Sequence, residues 1–300
     1  MSAVAEPAAH PRRPAPGLGA RVVRLARGRF LGLWAGLALL YLFLPIFIVI
    51  LFSFNDNQGR FNLTWEGFTL RHWESPFGVP GLGQAFLNSI VIAAISTVIA
   101  VALGTFMALA LVRYRFRGRG FTDLFVFLPL ATPEVVLGAA LLSLFLTLDF
   151  ATGFVTIVVA HVMFNVAYVV LTIKARLEGM DLHIEEAAMD LGADQLTTFR
   201  KITLPLIAPG LAAASLLAFA ISIDDFVVTY FNAGQTSTFP LFIWGAARQG
   251  VPAEVNVLAT LLLIVALGLM FVNLAVQRRR GREGAAAGRA APSVGAKAPA

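Results

Sequence analysis

The sequence predicts an all-α membrane protein, a polytopic bundle of six helices, and three observations predict it. Hydrophobic residues make up 58% of the 300-residue chain and charged residues only 13%, a balance well away from that of an ordinary globular domain. The apolar residues are gathered into six blocks near 31–54, 85–112, 121–148, 152–173, 208–231 and 254–277, each long enough to supply the roughly 20 residues that cross a bilayer core. The basic residues then alternate between connections. Of 23 lysines and arginines, all but Arg60, Arg71 and Arg248 lie before the first block, between the second and third, between the fourth and fifth, or after the sixth.

That asymmetry follows the positive-inside rule and places both termini in the cytoplasm. Distributed in this way, a net charge of +6 points to a bilayer surface and away from nucleic acid. Trp65, Trp73 and Trp244 fall in or beside the connections on the other side, where amphipathic rings favour the interface. The chain has no cysteine, which excludes disulfides, thiolate metal sites and thiol nucleophiles.

Taken in order, residues 1–29 are rich in Pro, Ala and Arg without an apolar period and read as a disordered cytoplasmic tail held near anionic lipid. The first block is too long for the core of a cleaved signal, and no small-residue cleavage site follows it, so it stays as a span. The connection after it carries SFNDNQGRFNLTWEGFTLRHW from residue 53, with enough aromatics to fold against the membrane or a partner. In the third block, Pro129 and Pro133 are expected to interrupt the helix just before Glu134. His161 and Asn165 in the fourth read as hydrogen-bonders between helices. After the sixth block, 279–300 form a second disordered cytoplasmic tail, which leaves 30–278 as the transmembrane domain.

The connection 174–206 has a helical pattern of its own. Asp181 is a candidate N-cap, Ile184, Ala187, Ala188 and Leu191 form one apolar stripe, and Gly192 is placed to end the helix. Asp194 can cap a second helix that ends at Thr203 before Pro205, with Arg200 and Lys201 in its last turn. A hairpin of two such short helices is marginal alone in water and gains stability by docking into something; the alternative is a pair lying on the lipid surface.

Apart from Asp123 and Glu254 at the block ends, three acids lie well inside the blocks: Glu134, Asp224 and Asp225. An ionisable group at the centre of a membrane helix costs about 2.5 to 3.5 kcal/mol on insertion scales, so each should face protein or water. Counted along straight helices at about 1.5 Å per residue, Glu134 and Asp224 share a depth roughly 20 Å above the cytoplasmic edge. Carboxylates together with carbonyls freed by a broken helix suit a cation stripped of water. Adjacent helical residues project about 100° apart, so one of the two aspartates is expected to face a pathway and the other a neighbouring helix. The competing reading keeps all three as hydrogen-bonding groups inside the bundle or between subunits.

The run Glu186-Ala187-Ala188, three residues, Gly192, nine residues, Ile202, one residue, Leu204-Pro205 resembles the EAA loop of binding-protein-dependent ABC importer permeases of the type I fold. Outside the tails the likeness continues: SFND at 53–56, WEGFTL at 65–70 and SIDDFVVTYF at 222–231 are similar to the spermidine/putrescine permease group. The resemblance implies a bacterial inner-membrane subunit whose loop seats in a cleft of an ATPase, with Glu186, Ala187, Ala188 and Gly192 at the contact. It also implies a second homologous permease, two ATP-binding subunits, an extracytoplasmic substrate-binding protein and a small cationic cargo of the polyamine class. None of the three lysines follows a glycine, as a P-loop requires, so ATP and magnesium are expected on the partner ATPase and no cofactor or metal on this chain. No HExxH or GxSxG occurs, and no nucleophile and base pair supports an intramembrane enzyme. Two rival transport readings remain: another small solute such as an amino acid derivative, a phosphonate or a metal ion, and an ion-coupled secondary transporter in which Asp224 or Asp225 binds a proton or sodium.

Overall fold

The computed structural model describes residues 18–290 apart from Arg60 and Leu182. Twelve α-helices follow in order: α1 Leu18–Phe52, α2 Arg71–Glu74, α3 Leu82–Arg113, α4 Arg119–Ala131, α5 Glu134–Thr147, α6 Phe154–Glu178, α7 His183–Asp190, α8 Gln195–Thr198, then a π-helical turn Phe199–Thr203, α9 Leu204–Asp224, α10 Val227–Asn232, α11 Phe239–Gln249 and α12 Ala253–Ala290. Among the described residues the β structure is a single isolated bridge, Asn55 to Phe68. The fold is all-α, as the composition and periodicity require. Among the described residues five helical stretches are long and apolar enough to cross a membrane, and α4 with α5, bent by 108°, has the composition of a broken sixth span or a re-entrant loop.

The chain divides into two compact units, Met1–Leu51 and Phe52–Ala300. The first consists of α1, which starts at Leu18. Residues 18–29, expected as part of a tail, are therefore helical, and so are 279–290 at the far end of α12. The physical reason is cooperativity: once an apolar block has nucleated a helix, each added residue costs little, and neither segment contains a proline. Residues 1–17 and 291–300, the rest of the two expected tails, lie outside the described residues.

The second unit is built on α3, α6 and α9. Their contact faces carry small side chains: Ala93, Ala100 and Ala108 on α3, Ala160 and Ala167 on α6, and Ala214 and Ala218 on α9 are all fully buried. Small residues let backbones approach closely where apolar burial from water no longer drives association. One close approach is at Gly104 on α3, where an added Cβ would stand 2.7 Å from Val169 Cγ1 of α6.

Both ends of this unit are fastened by polar contacts. At the end holding the arginine-rich connection 113–119, Lys174 of α6 donates to Asp123 of α4 at 2.8 Å, and the Arg176 guanidinium donates to the Leu206 carbonyl at 3.2 Å. At the opposite end the connection after α1 folds on itself. Asn55 donates to Asn62 Oδ1 and to the Thr64 carbonyl and accepts from the Glu66 amide, while Phe54 stacks on Phe68 and Trp73. Asn62 N–H bonds to the Val251 carbonyl at 3.2 Å, and His72 of α2 sits 3.0 Å from Glu254 of α12.

The bend between α4 and α5 falls where the two prolines suggested an interruption. Thr132 and Pro133 are both extended, with ψ of 132°, because the residue before a proline is pushed out of the helical region and Pro133 has no N–H to continue the ladder. Depth along a straight third span therefore has no meaning past Ala131.

Candidate functional site

At the arginine-rich end, α7 is held by its termini. The Asp181 carboxylate accepts from the His183 amide at 3.0 Å. At the other terminus Gly192 has φ +90°, its N–H bonds to Met189, and the Ala193 N–H reaches back to Ala188. This pair of bonds is a Schellman stop, with glycine at the position that must be left-handed. The helix and its stop agree with the sequence reading.

The faces of α7 are less expected. The apolar stripe is turned outward: Ile184 is 47% exposed and Leu191 91%, with Met189 and Leu196 beside them also exposed. Ala187 is exposed and Ala188 half-buried. Glu186 is exposed too, and accepts from or shares a proton with His183 Nδ1 at 3.0 Å. That contact is the first cause holding the His183 imidazole above its ordinary pKa. The buried residue is the neighbouring Glu185, bound to the Arg113 guanidinium of α3 and accepting from the Thr203 hydroxyl at 2.6 Å. Sequence reasoning passed over Glu185 because a stripe of apolar residues normally marks the inner face; the available signal was Arg113, a cation in the last turn of a span at the same end of the fold.

The second arm of the hairpin differs more. Asp194 caps it as expected, accepting from the Thr197 N–H at 3.1 Å, and the Thr197 side chain, followed by its N–H, holds the Asp194 carboxyl below the usual range. The helix does not end at Thr203. It runs from Gln195 to Asp224 without interruption, 30 residues, or about 45 Å. Pro205 lacks an N–H, but the π turn before it, closed by the Leu204 N–H on the Phe199 carbonyl, shifts the bonding register so that the missing donor interrupts nothing essential. Ile202 lies in that turn, and Leu204 and Pro205 begin α9. The loop is thus the end of the fifth span.

At the other terminus of this long helix lie the aspartates, at a break the sequence did not announce. Asp224 is the last residue of α9, Asp225 is extended with ψ 122°, and α10 starts at Val227. The break sends the two side chains apart. Asp225 is inward, its side chain 8% exposed; Oδ2 accepts from Thr229 N–H and Oγ1, both at 2.7 Å, and lies 3.3 Å from His161 Nε2. His161 of α6 is buried and bridges further, with Nδ1 2.6 Å from Ser222 and Nε2 2.9 Å from Thr229; Ser222 reaches Ser96 of α3 at 3.0 Å. Four elements are joined by this chain of polar contacts, and His161 is the interhelical bonder expected. Asn165, expected to act likewise, is fully buried, yet neither amide atom has a partner among the described residues.

Asp224 and Glu134 behave in the opposite way. Both are exposed on this subunit, and neither makes a hydrogen bond or ion pair among the described residues. Glu134 opens α5 directly after the proline bend. Of the three acids, then, Asp225 belongs to the internal network, while Asp224 and Glu134 point away from the chain's own core, each beside a helix break. Among the described residues no group of three or more potential metal ligands comes together.

Residues 100–280 match the family described as binding-protein-dependent transport system inner membrane component. The spermidine/putrescine transport system permease protein PotC of Haemophilus influenzae is 39% identical over 240 residues, 80% of this chain and 93% of that protein. Its namesake from Escherichia coli K12 is 38% identical over 257 residues, 85% of this chain and 95% of that protein. A bacterial ABC transporter involved in the import of the acidic polysaccharide alginate has a chain of the same fold, with a TM-score of 0.63 at 15% identity over 86% of this chain and 99% of that one.

Proposed function

Because the chain belongs to the family of binding-protein-dependent transport system inner membrane components, we propose that it forms half of the translocation pathway of an ABC importer for a small cationic solute of the spermidine and putrescine class. A second homologous permease completes the pathway, two ATPase subunits dock at the arginine-rich end, and a substrate-binding protein delivers from the opposite side. The arginine-rich end and both termini are cytoplasmic. The chain itself catalyses nothing; ATP and magnesium reside on the ATPase.

The observation that carries this reading is the outward stripe of α7, followed after the Gly192 stop by one helix, Gln195–Asp224, that runs to the acidic break. Ile184, Ala187, Met189 and Leu191 offer an apolar surface with small residues among them, which an ATPase cleft would cover, and Glu186 stands beside them to pair with a basic residue across the contact. Closure of the ATPases on nucleotide moves α7, the helix Gln195–Asp224 transmits that displacement as a rigid rod, and the far end, where Asp224 leaves the helix, moves relative to α5. An exposed carboxylate at each break, Asp224 and Glu134, gives an ammonium group partners as it loses water. The cargo is supported by the relatives' names and by the sign of these charges.

The test is uptake of labelled spermidine and putrescine into proteoliposomes holding the full complex, with ATP inside and ion gradients collapsed. Uptake that needs ATP and ignores the gradients is expected. Uptake that follows a proton or sodium gradient overturns the ATP-driven reading, and ATP-dependent uptake of a different solute with no polyamine entry overturns the cargo.

A further inference from the structure

Resting on the docking of α7 to an ATPase, we propose that Arg113, Glu185 and Thr203 act as a tie that forces α3 and α9 to follow α7, so that this polar contact passes the loop's movement to the pathway. The three residues come from three elements: the last turn of α3, the first turn of α7 and the π turn that leads into α9. Thr203 is fully buried and Glu185 nearly so, at 0% and 8% exposed. Arg113 also donates to Thr203 Oγ1 at 3.0 Å, so each member touches the other two.

The other polar and large apolar side chains of α7 give the spans less hold. Its large apolar side chains face outward, and among the described residues Glu186 pairs with His183 on its own helix. A buried carboxylate held by a guanidinium and a hydroxyl is different in kind: losing one partner strands a charge away from water, so α7 cannot shift without either breaking the contact at high cost or taking α3 and the π turn along. The Arg113 Nε is buried with no partner among the described residues. A small rotation of α7 would bring the second carboxylate oxygen onto it and make the pair bidentate, a geometry guanidinium favours. The tie can therefore persist through movement, and the π turn, where the helix is already widened, is the point at which it pulls.

These residues are positioning residues, and the decisive readout is the number of cargo molecules moved per ATP hydrolysed. The full complex in proteoliposomes is assayed for labelled spermidine uptake and phosphate release together, with native chain, Glu185→Gln, Thr203→Val and the reversal Arg113→Glu with Glu185→Arg. In Glu185→Gln and Thr203→Val the ATPase copurifies and hydrolyses ATP, while uptake per ATP falls, by about tenfold for Glu185→Gln, the size expected for weakening one hydrogen bond to a charged group. The reversal recovers at least part of that ratio. An unchanged ratio in Glu185→Gln overturns the tie, and so does a loss of uptake that only parallels loss of copurified ATPase, which makes the cluster an assembly anchor. Leu191→Asp separates the two claims: if that variant keeps its ATPase, the docking of α7 itself fails, whereas loss there with an unchanged ratio in Glu185→Gln fails the tie alone.

Discussion

The two adjacent aspartates should respond to substitution in opposite ways. Asp225 Oδ2 accepts two hydrogen bonds from Thr229 at 2.7 Å and faces His161 at 3.3 Å, in a site where the side chain is 8% exposed. Replacing it with alanine removes two bonds to a charged acceptor, each worth about 1.5 to 3 kcal/mol, and leaves the Thr229 N–H near the start of α10 without its acceptor. The sum is roughly 3 to 6 kcal/mol, at the upper end for a single substitution, and it falls on the break that places Asp224. Asp224 makes no such contact, so Asp224→Asn should change stability by less than about 0.5 kcal/mol, as surface substitutions do, while removing the charge offered to a cation. The assay is thermal unfolding of the detergent-solubilised complex beside the concentration dependence of spermidine uptake. Asp225→Ala should lower the melting temperature and the yield of complex, whereas Asp224→Asn should melt like the native complex and weaken uptake. Equal destabilisation by both would refute the division into an inner and an outer acid, and so would a normal melting curve for Asp225→Ala.

Other expectations follow from local geometry. Gly104→Ala puts a methyl 2.7 Å from Val169 Cγ1 and should cost about 1 to 3 kcal/mol as overpacking, read as a lower melting temperature that Val169→Ala largely restores. Gly192→Ala meets nothing within 4 Å, so its cost is conformational, about 1 to 2 kcal/mol for a left-handed residue, and should appear as faster amide exchange confined to α7; exchange spreading into α9 would contradict that. The His183 imidazole is raised by its bond to Glu186 and by the charge of Asp181, so the pairing contributes fully below the ordinary histidine pKa and is lost as pH rises through the raised value. Its NMR titration should move back toward ordinary in Glu186→Gln. Asp194 is lowered by Thr197, so its cap is present above the usual carboxylate range and is lost only as pH falls through the lowered value.

Much of this was legible in the residues. The apolar blocks are long enough that hydrocarbon thickness decides them, and the α7 stop could be read from Gly192 because few other residues take φ +90° without strain. Pro133 marked a true break because nothing upstream adjusts the ladder; Pro205 did not, because a π turn absorbs it, and that turn depends on packing more than on any residue in FRKIT. The break at Asp225 has no proline or glycine at all. It goes with the partners that Thr229 of α10 and His161 of α6 supply to Asp225, and the histidine lies in a distant segment of the sequence. Glu185 was hidden for a related reason: the apolar stripe of α7 faces outward, and the polar face packs against the chain. Asn165, whose type suggested a bond across helices, is buried without one among the described residues, and nothing in the structure explains it.

The most direct test of the account is ATP-driven spermidine uptake by proteoliposomes containing the full complex, with the native chain compared with Leu191→Asp, a side chain 91% exposed whose change cannot disturb the fold. The account predicts uptake that requires ATP in the native complex, and in the variant a correctly inserted chain that neither retains the ATPase nor takes up cargo. Undiminished ATP-driven uptake by Leu191→Asp, or polyamine uptake that persists without ATP, would contradict it.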